Sequence, residues 1–417
     1  MKYILTILLA AFYLCSSAQT TAEIKEYDPM FKYELYRPYP AEMRDRELSE
    51  APKGYKPFYI SHLSRHGSRW HSSKSSYNKP LAILKSADER GELTNIGKRL
   101  LNDAERLCAD AENRYGELSR LGFEQHQGIA NRMVTNFPEI FHKGCYIDCR
   151  STIVPRCILS MASAVQEITR LVPSAQIRME SSEDNTYLKA YAGLNSIKQD
   201  AVPLSDSLQY AYMPDTKPFM DRIFTKTQNI DSRNFMLQTF MLGAILGSTK
   251  VDGVEDIDYA FTEEERAGVW RASNIRRYAL TGPSKPFAAT ILEGIKPFVA
   301  NVIESADRAI KEGDEQATLR FAHDVTVIPL VKILGIKCGN IVTDDWQNVS
   351  KYWRINEVTP MGANIQMVFY RSKKSDTILV KILHNEREQI LDSSVAKPVT
   401  GRYYDWEDIK KYLLSTL

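Results

Sequence analysis

Ser64-Arg65-His66-Gly67-Ser68-Arg69 sets two arginines around one histidine, with a glycine that lets backbone approach whatever they hold. A guanidinium is a rigid fork of donors matched to phosphate oxygens, and it stays charged at any working pH. An imidazole between two such groups can be neutral and nucleophilic near neutrality. A second group, His323-Asp324, brings another imidazole and a carboxylate. A third, Arg150-Ser151-Thr152-Ile153-Val154-Pro155-Arg156-Cys157-Ile158-Leu159-Ser160, brings two more arginines and a cysteine. Binding an oxyanion and attacking it is the chemistry these residue types share.

Each group falls where an apolar run gives way to a loop or helix. Pro57-Phe58-Tyr59-Ile60-Ser61-His62-Leu63 reads as a short strand running into the Arg65 cluster. Residues 317–322 read as a strand ending at His323-Asp324, followed by a helix with Val327, Leu330 and Val331 inward. His323-Asp324 thus sits at a helix N-terminus, where backbone amides favour anions. Residues 144–148 read as a third strand, leading through Arg150 into a helix rich in small residues. Ligand sites of open α/β sheets lie at such strand ends.

Arg-His-Gly-x-Arg early, Arg-Ser-Thr-x-x-x-Arg-x-x-x-Ser in the middle and His-Asp late occur here in order. The combination resembles the histidine acid phosphatases of the phosphoglycerate mutase-like superfamily, and Gly116 to His126 looks like that family's helix-opening segment. The resemblance spans residues 55–390. It implies an α/β fold: a three-layer core with a mixed sheet and an inserted, mostly helical cap. It also implies roles. His66 is the nucleophile, forming a phosphohistidine that water hydrolyses. Asp324 is the acid for the leaving oxygen and then the base for water. Arg65, Arg69, Arg156 and His323 hold the phosphoryl oxygens. Arg150, six residues before Arg156, is read as a structural pair-former. Phosphomonoester hydrolysis asks for these residue types in any case. With arginines neutralising the phosphate, neither metal nor cofactor is expected.

A chain of 417 residues, 43% hydrophobic and 25% charged, is long enough for a large core and more than one domain. A formal net charge of +2 excludes a nucleic-acid surface as its main theme, so any anion site is local. Lys2, the apolar run Ile4 to Leu14, and Ser16-Ser17-Ala18 before Gln19 have the layout of a secretory signal peptide. That run is short for a membrane span. Bulky Phe12, Tyr13 and Leu14 argue against a lipid anchor at Cys15. The chain is expected to be exported to the periplasm or medium, as a monomer acting on a small soluble phosphomonoester. Five cysteines remain after Ala18: Cys108, Cys145, Cys149, Cys157 and Cys338. Export permits disulfides, and Cys145 and Cys149 are close enough in sequence to pair across a turn, but the odd count leaves at least one thiol free; the spacings match no zinc pattern, and free buried cysteines are the favoured reading.

Beyond the signal at 1–18, residues 19–54 read as a polar, tyrosine- and proline-rich arm. Residues 55–172 and 286–417 read as the α/β core, and 173–285 as a helical cap insertion. Thr94 and Ser119 are read as helix caps. Ile291 to Ile310 recur at helical spacing, residues 364–370 and 377–383 read as a hairpin, and 406–414 as a closing helix.

Arg320 to His323, Met361 to Gln366 and His384-Asn385-Glu386 look like the multiple inositol polyphosphate phosphatase branch, which implies phytate and its lower phosphates as substrates. His323-Asp324-Val325 is instead the arrangement of ordinary acid phosphatases and many phytases. A broad-specificity acid phosphatase or sugar phosphatase therefore stays open beside the inositol polyphosphate reading. A phosphosugar mutase and a non-catalytic phosphate-binding protein are the readings from other classes. Lys74, Lys79, Lys189, Lys198 and His71 are candidate extra cations for a polyanion. His62, His126, His142 and His384 read as structural, His126 being the one placed to approach the pocket.

Overall fold

The computed structural model describes residues 28–45, 47–227 and 229–417. The export signal read at residues 1–18, Cys15 included, lies outside the described residues. Among the described residues, no helix is long and apolar enough to cross a membrane.

One mixed sheet organises the chain. Its strands are β1 (Tyr55–Arg65), β2 (Tyr146–Ser151), β3 (Gln176–Ser181), β4 (Ala317–Ala322), β5 (Asn364–Ser372), β6 (Ser375–His384), β7 (Arg387–Glu388), β8 (Pro398–Thr400) and β9 (Tyr403–Asp405). They run in the order β3-β2-β4-β1-β5-β6-β9-β8, with β7 on β6. β3, β2, β4 and β1 are parallel, and β5 turns antiparallel to β1. Parallel neighbours need helical crossovers. Helices α1 (Ser75–Glu89), α2 (Asn95–Ala111) and α3 (Arg120–Asn136) lead from β1 to β2, and α4 (Pro155–Leu171) leads from β2 to β3.

The alternation of β1 sorts the layers. Tyr59 and Leu63 pack with Phe298 and Val302 of α8 (Lys296–Glu312), and with Val327 and Val331 of α9 (Asp324–Ile333). Ile60 packs with Ile129 and Met133 of α3 and Met161 and Ile168 of α4. Helix, sheet and helix form the three layers expected from the sequence. Between β3 and β4 the chain is helical, with α5 (Tyr191–Ala211), α6 (Ser232–Ala244) and α7 (Glu263–Thr281) ahead of α8; α10 (Trp406–Thr416) follows β9.

Several local expectations hold for stated reasons. Thr94 Oγ1 accepts from Gly97 N at 3.0 Å and Ser119 Oγ from Gly122 N at 3.2 Å, the cap bonds their types suit. Arg150 pairs with Asp148 at 2.8 Å and with Glu180. Two readings change. The third strand runs 146–151 rather than 144–148, because Gly144 turns at φ 79°. Residues 176–181, read as part of the helical segment, form edge strand β3. Its residues are mostly solvent-facing, and charge holds it, Glu180 meeting both Arg150 and Arg178. All five described cysteines are free thiols, the reading their spacings favoured, and Cys145 and Cys149 do not pair. Four residues of extended chain separate two Cα atoms by ~13 Å, beyond disulfide reach.

The arm is built into the fold. Residues 29–43 are not a surface appendage: Phe31, Glu34, Leu35, Tyr36, Arg37 and Tyr39 are all buried. Tyr39 OH donates to Glu386 at 2.8 Å, Glu386 is gripped by Arg132, and Arg37 O accepts from Met361 N at 2.9 Å. The segment is stapled to residues from the far end of the sequence.

Candidate active site

Arg65 is the last residue of β1 and is in register with Ala322, the last of β4; Ser64 is level with Phe321, and Phe321 with Ser151 of β2. The C-terminal ends of three adjacent parallel strands therefore deliver His66, His323 and the Thr152–Arg156 turn to one place. The loop after Arg65 lies against the start of α3. A Cβ on Gly67 would meet Gly122 O at 2.5 Å, and one on Gly122 would meet Ser68 O at 2.3 Å, so both positions require glycine. Gln125 clamps the loop, accepting from Ser68 N and donating to Ser68 Oγ, both at 2.9 Å. Gly67 N donates to Ser160 Oγ at 3.1 Å, tying in α4.

His66 Nδ1 lies 3.0 Å from Gly67 O. A carbonyl only accepts, so Nδ1 carries the proton and Nε2 keeps its lone pair. Burial, then Arg69, Arg65, Arg156 and His323, hold His66 well below the usual histidine range, so it is neutral. His323 Nε2 is 3.2 Å from Thr152 Oγ1 and 3.7 Å from Cys157 Sγ. Burial and Arg156 push His323 down to about 4, with Asp324 opposing. Burial likewise pushes the Cys157 thiol up to about 11, which keeps it protonated and unreactive.

The arginines are incompletely satisfied. Arg65 Nη1 donates to Thr359 O at 2.6 Å and Leu35 O at 3.1 Å, while its Nε and Nη2 are buried with no hydrogen-bond partner among the described residues. Arg69 Nη1 donates to Trp70 O at 2.7 Å and lies 3.4 Å from Tyr36 OH; its buried Nε is also without a partner. Burial pushes Arg65 down to about 10, Asp324 opposing and Arg69 adding, which leaves it charged at neutral pH. Buried guanidinium donors facing one neutral imidazole suit an anion with several oxygens. Arg156, half-buried at the start of α4, adds its charge to His66 and His323.

The N-cap of α9 is His323, extended at φ −125°, whose carbonyl accepts from Thr326 N and Val327 N; Asp324 is the first helical residue. Burial pushes its carboxyl up, but Arg65, His323, Arg277 and Arg69 outweigh that and hold it below the usual aspartate value.

The sequence-derived residues Arg65, His66, Arg69, Arg156, His323 and Asp324 thus act on one another electrostatically. The lysines do not enter this set. Lys74 pairs with Glu112 at 3.2 Å and Lys189 with Glu183 at 2.9 Å, while Lys79 and Lys198 are exposed. His71 bonds Met241 O at 2.9 Å, a structural role. His126, bonded to the Arg65 backbone, does lie under the site. Sequence reading missed Glu34, Leu35, Tyr36, Thr359 and Arg277. The Tyr36-Arg37-Pro38-Tyr39-Pro40 run was the one available signal, since aromatic, rigid chain is unusual in a surface arm.

No curated protein matches the chain in sequence. The fold is shared with a multiple inositol polyphosphate phosphatase of Bifidobacterium longum solved with inositol hexasulfate. That structure has 20% identity and a TM-score of 0.76, over 92% of this chain and 97% of that one. It is shared also with the phytase from D. castellii, at 16% identity and a TM-score of 0.69, over 96% of this chain and 88% of that one. The family described as histidine phosphatase superfamily (branch 2) matches residues 161–385, a span that begins after the Arg65–Arg69 cluster and includes His323-Asp324. With over half of its length so matched, the chain belongs to branch 2 of the histidine phosphatase superfamily and is a phosphoric monoester hydrolase.

Proposed function

We propose that this phosphatase hydrolyses inositol polyphosphates through a phosphohistidine on His66. The observation that carries the reading is the fixed tautomer of His66. Its Nδ1 proton is committed to Gly67 O, leaving an Nε2 lone pair among Arg65, Arg69 and Arg156.

A phosphoryl group held by these arginines and His323 has its negative charge offset on three oxygens while Nε2 attacks in line. The P–O bond to the alcohol breaks as the N–P bond forms, and the departing oxygen takes a proton from Asp324. In the free site Asp324 is held ionised by the surrounding cations. A bound phosphate dianion offsets those cations, raising the carboxyl toward the protonated form it needs as an acid. Asp324, deprotonated by that transfer, then takes a proton from the water that attacks phosphorus and releases His66. The helical segment between β3 and residue 285 serves as a cap that shapes the pocket. Export rests on the composition of residues 2–18, and the chain acts as a monomer.

Inositol polyphosphates are favoured because the two solved phosphatases sharing the fold over most of their length are named for that chemistry. The test is phosphate release by the protein from inositol hexakisphosphate, glucose 1-phosphate and nitrophenyl phosphate, without metal. A kcat/KM highest for the hexakisphosphate is expected. A flat profile would replace the reading with a broad-specificity acid phosphatase, and binding without turnover would overturn the catalytic assignment.

A further inference from the structure

Three consecutive residues of the N-terminal segment each touch a different arginine. Leu35 O accepts from Arg65 Nη1 at 3.1 Å. The Tyr36 ring lies 5.2 Å from the Arg69 guanidinium, with its hydroxyl 3.4 Å from Arg69 Nη1. Glu34 Oε1 accepts from Arg277 Nε at 2.8 Å and from Ser273 Oγ at 3.0 Å. Glu34 is fully buried, and its backbone stands at φ 42°, ψ −124°, a region a residue with a Cβ rarely adopts. Such a conformation persists only where the surroundings over-determine it, and it concentrates at functional sites. Here Glu34 Oε2 bonds the Leu35 amide at 2.5 Å, and Oε1 takes the two donors from α7.

Arg277 is the product of this arrangement. Its Nε is committed to Glu34, its side chain keeps 24% of its accessibility, and Nη1 and Nη2 hydrogen-bond nothing among the described residues. Its charge bears on Asp324, Tyr36 and His71. Glu34 holds Arg277 beside the pocket, because its chain neighbours Leu35 and Tyr36 hold the pocket arginines Arg65 and Arg69, and the leaving alcohol departs on the Asp324 side of that pocket. A bidentate donor edge selects an oxyanion.

We propose that Glu34 is a positioning residue that holds Arg277 to receive a second phosphate on the leaving alcohol, making the pair specificity-determining for esters with more than one phosphate. The inference rests on the His66–Asp324 reading of the site. Glu34 acts through Nε and leaves the two outer nitrogens oriented. Charge alone, on a mobile lysine, does not reproduce that geometry.

The test compares inositol hexakisphosphate with nitrophenyl phosphate, which has no second phosphate, on wild type, Arg277→Gln, Arg277→Lys and Glu34→Gln. For Arg277→Gln the loss of kcat/KM on the hexakisphosphate is expected to exceed that on nitrophenyl phosphate by ~10- to 100-fold, mostly in KM. Arg277→Lys, which retains charge but has no Nε for Glu34, is expected to show the same selective loss. Glu34→Gln is expected to raise KM in the same direction, and to add little when combined with Arg277→Gln. Equal losses on both substrates, or full function of Arg277→Lys, overturn the proposal; the two Arg277 variants decide it if Glu34→Gln does not fold. Retained turnover by His66→Ala would instead overturn the underlying reading, so the two failures are distinct.

Discussion

The imidazoles of His66 and His323 stand edge to face, 5.6 Å between ring centroids and 70° between planes, because each follows a strand end and those ends are partners in the β1–β4 register. Neither ring is placed by a flexible loop alone. One is held through Gly67 O and the other lies against Thr152 and Cys157.

His66→Ala is expected to reduce phosphate release below detection on every substrate while leaving the thermal transition in place. The histidine contributes one intraloop bond, and the loop remains clamped by Gln125 and Ser160. Phosphate release with a circular-dichroism melt checks both halves, and turnover by the pure variant would remove His66 as nucleophile.

Asp324→Asn should discriminate by leaving group. An alkyl phosphate, whose alcohol must be protonated, is expected to slow by ~10²–10⁴-fold, and nitrophenyl phosphate far less. Paired kcat values on the two esters measure this. Equal losses would reduce Asp324 to a charge partner of Arg65.

Gly122→Ala tests the contact between the nucleophile loop and α3. Its Cβ would lie 2.3 Å from Ser68 O and 2.9 Å from Ser68 N, both backbone atoms. A destabilisation of ~1–3 kcal/mol is expected, together with a fall in kcat as the loop carrying His66 is displaced. Denaturant unfolding and steady-state rates report the two effects.

Acid should destabilise the fold. Burial pushes His62, His71 and His126 each down to about 3 in the native state. Unfolded, each titrates near 6.5, so above that pH both states are neutral and pH has no leverage through them. Below it the unfolded chain binds protons that the native one refuses, and stability falls until about pH 3. At pH 5 this amounts to ~2 kcal/mol per histidine. A lower Tm at pH 5 than at pH 7 is expected, with a smaller drop in His62→Leu; identical drops would show that His62 does not contribute.

The strand ends and caps were legible because their signals are local: an apolar run stopping at Arg65 or His323, a Thr or Ser before a helical pattern. β3 was not, since its polar–apolar alternation is brief and its apolar residues Ile177 and Met179 are not buried, which leaves nothing to set it apart from the helical stretch that follows. Glu34 and Arg277 were invisible for a different reason. They are 243 residues apart, and neither has neighbours that mark it as other than a surface charge. The positive φ of Glu34 is imposed by tertiary contacts, and its residue type gives no hint of it.

The seating of residues 37–39 against Asn356, Met361 and Glu386 also bears on synthesis. Translation makes this strip of the pocket well before its anchors, so a nascent chain that already holds His66 and His323 still lacks Thr359 O, one of the two carbonyls that fix Arg65. The pocket is therefore finished only after both of its histidines have been made.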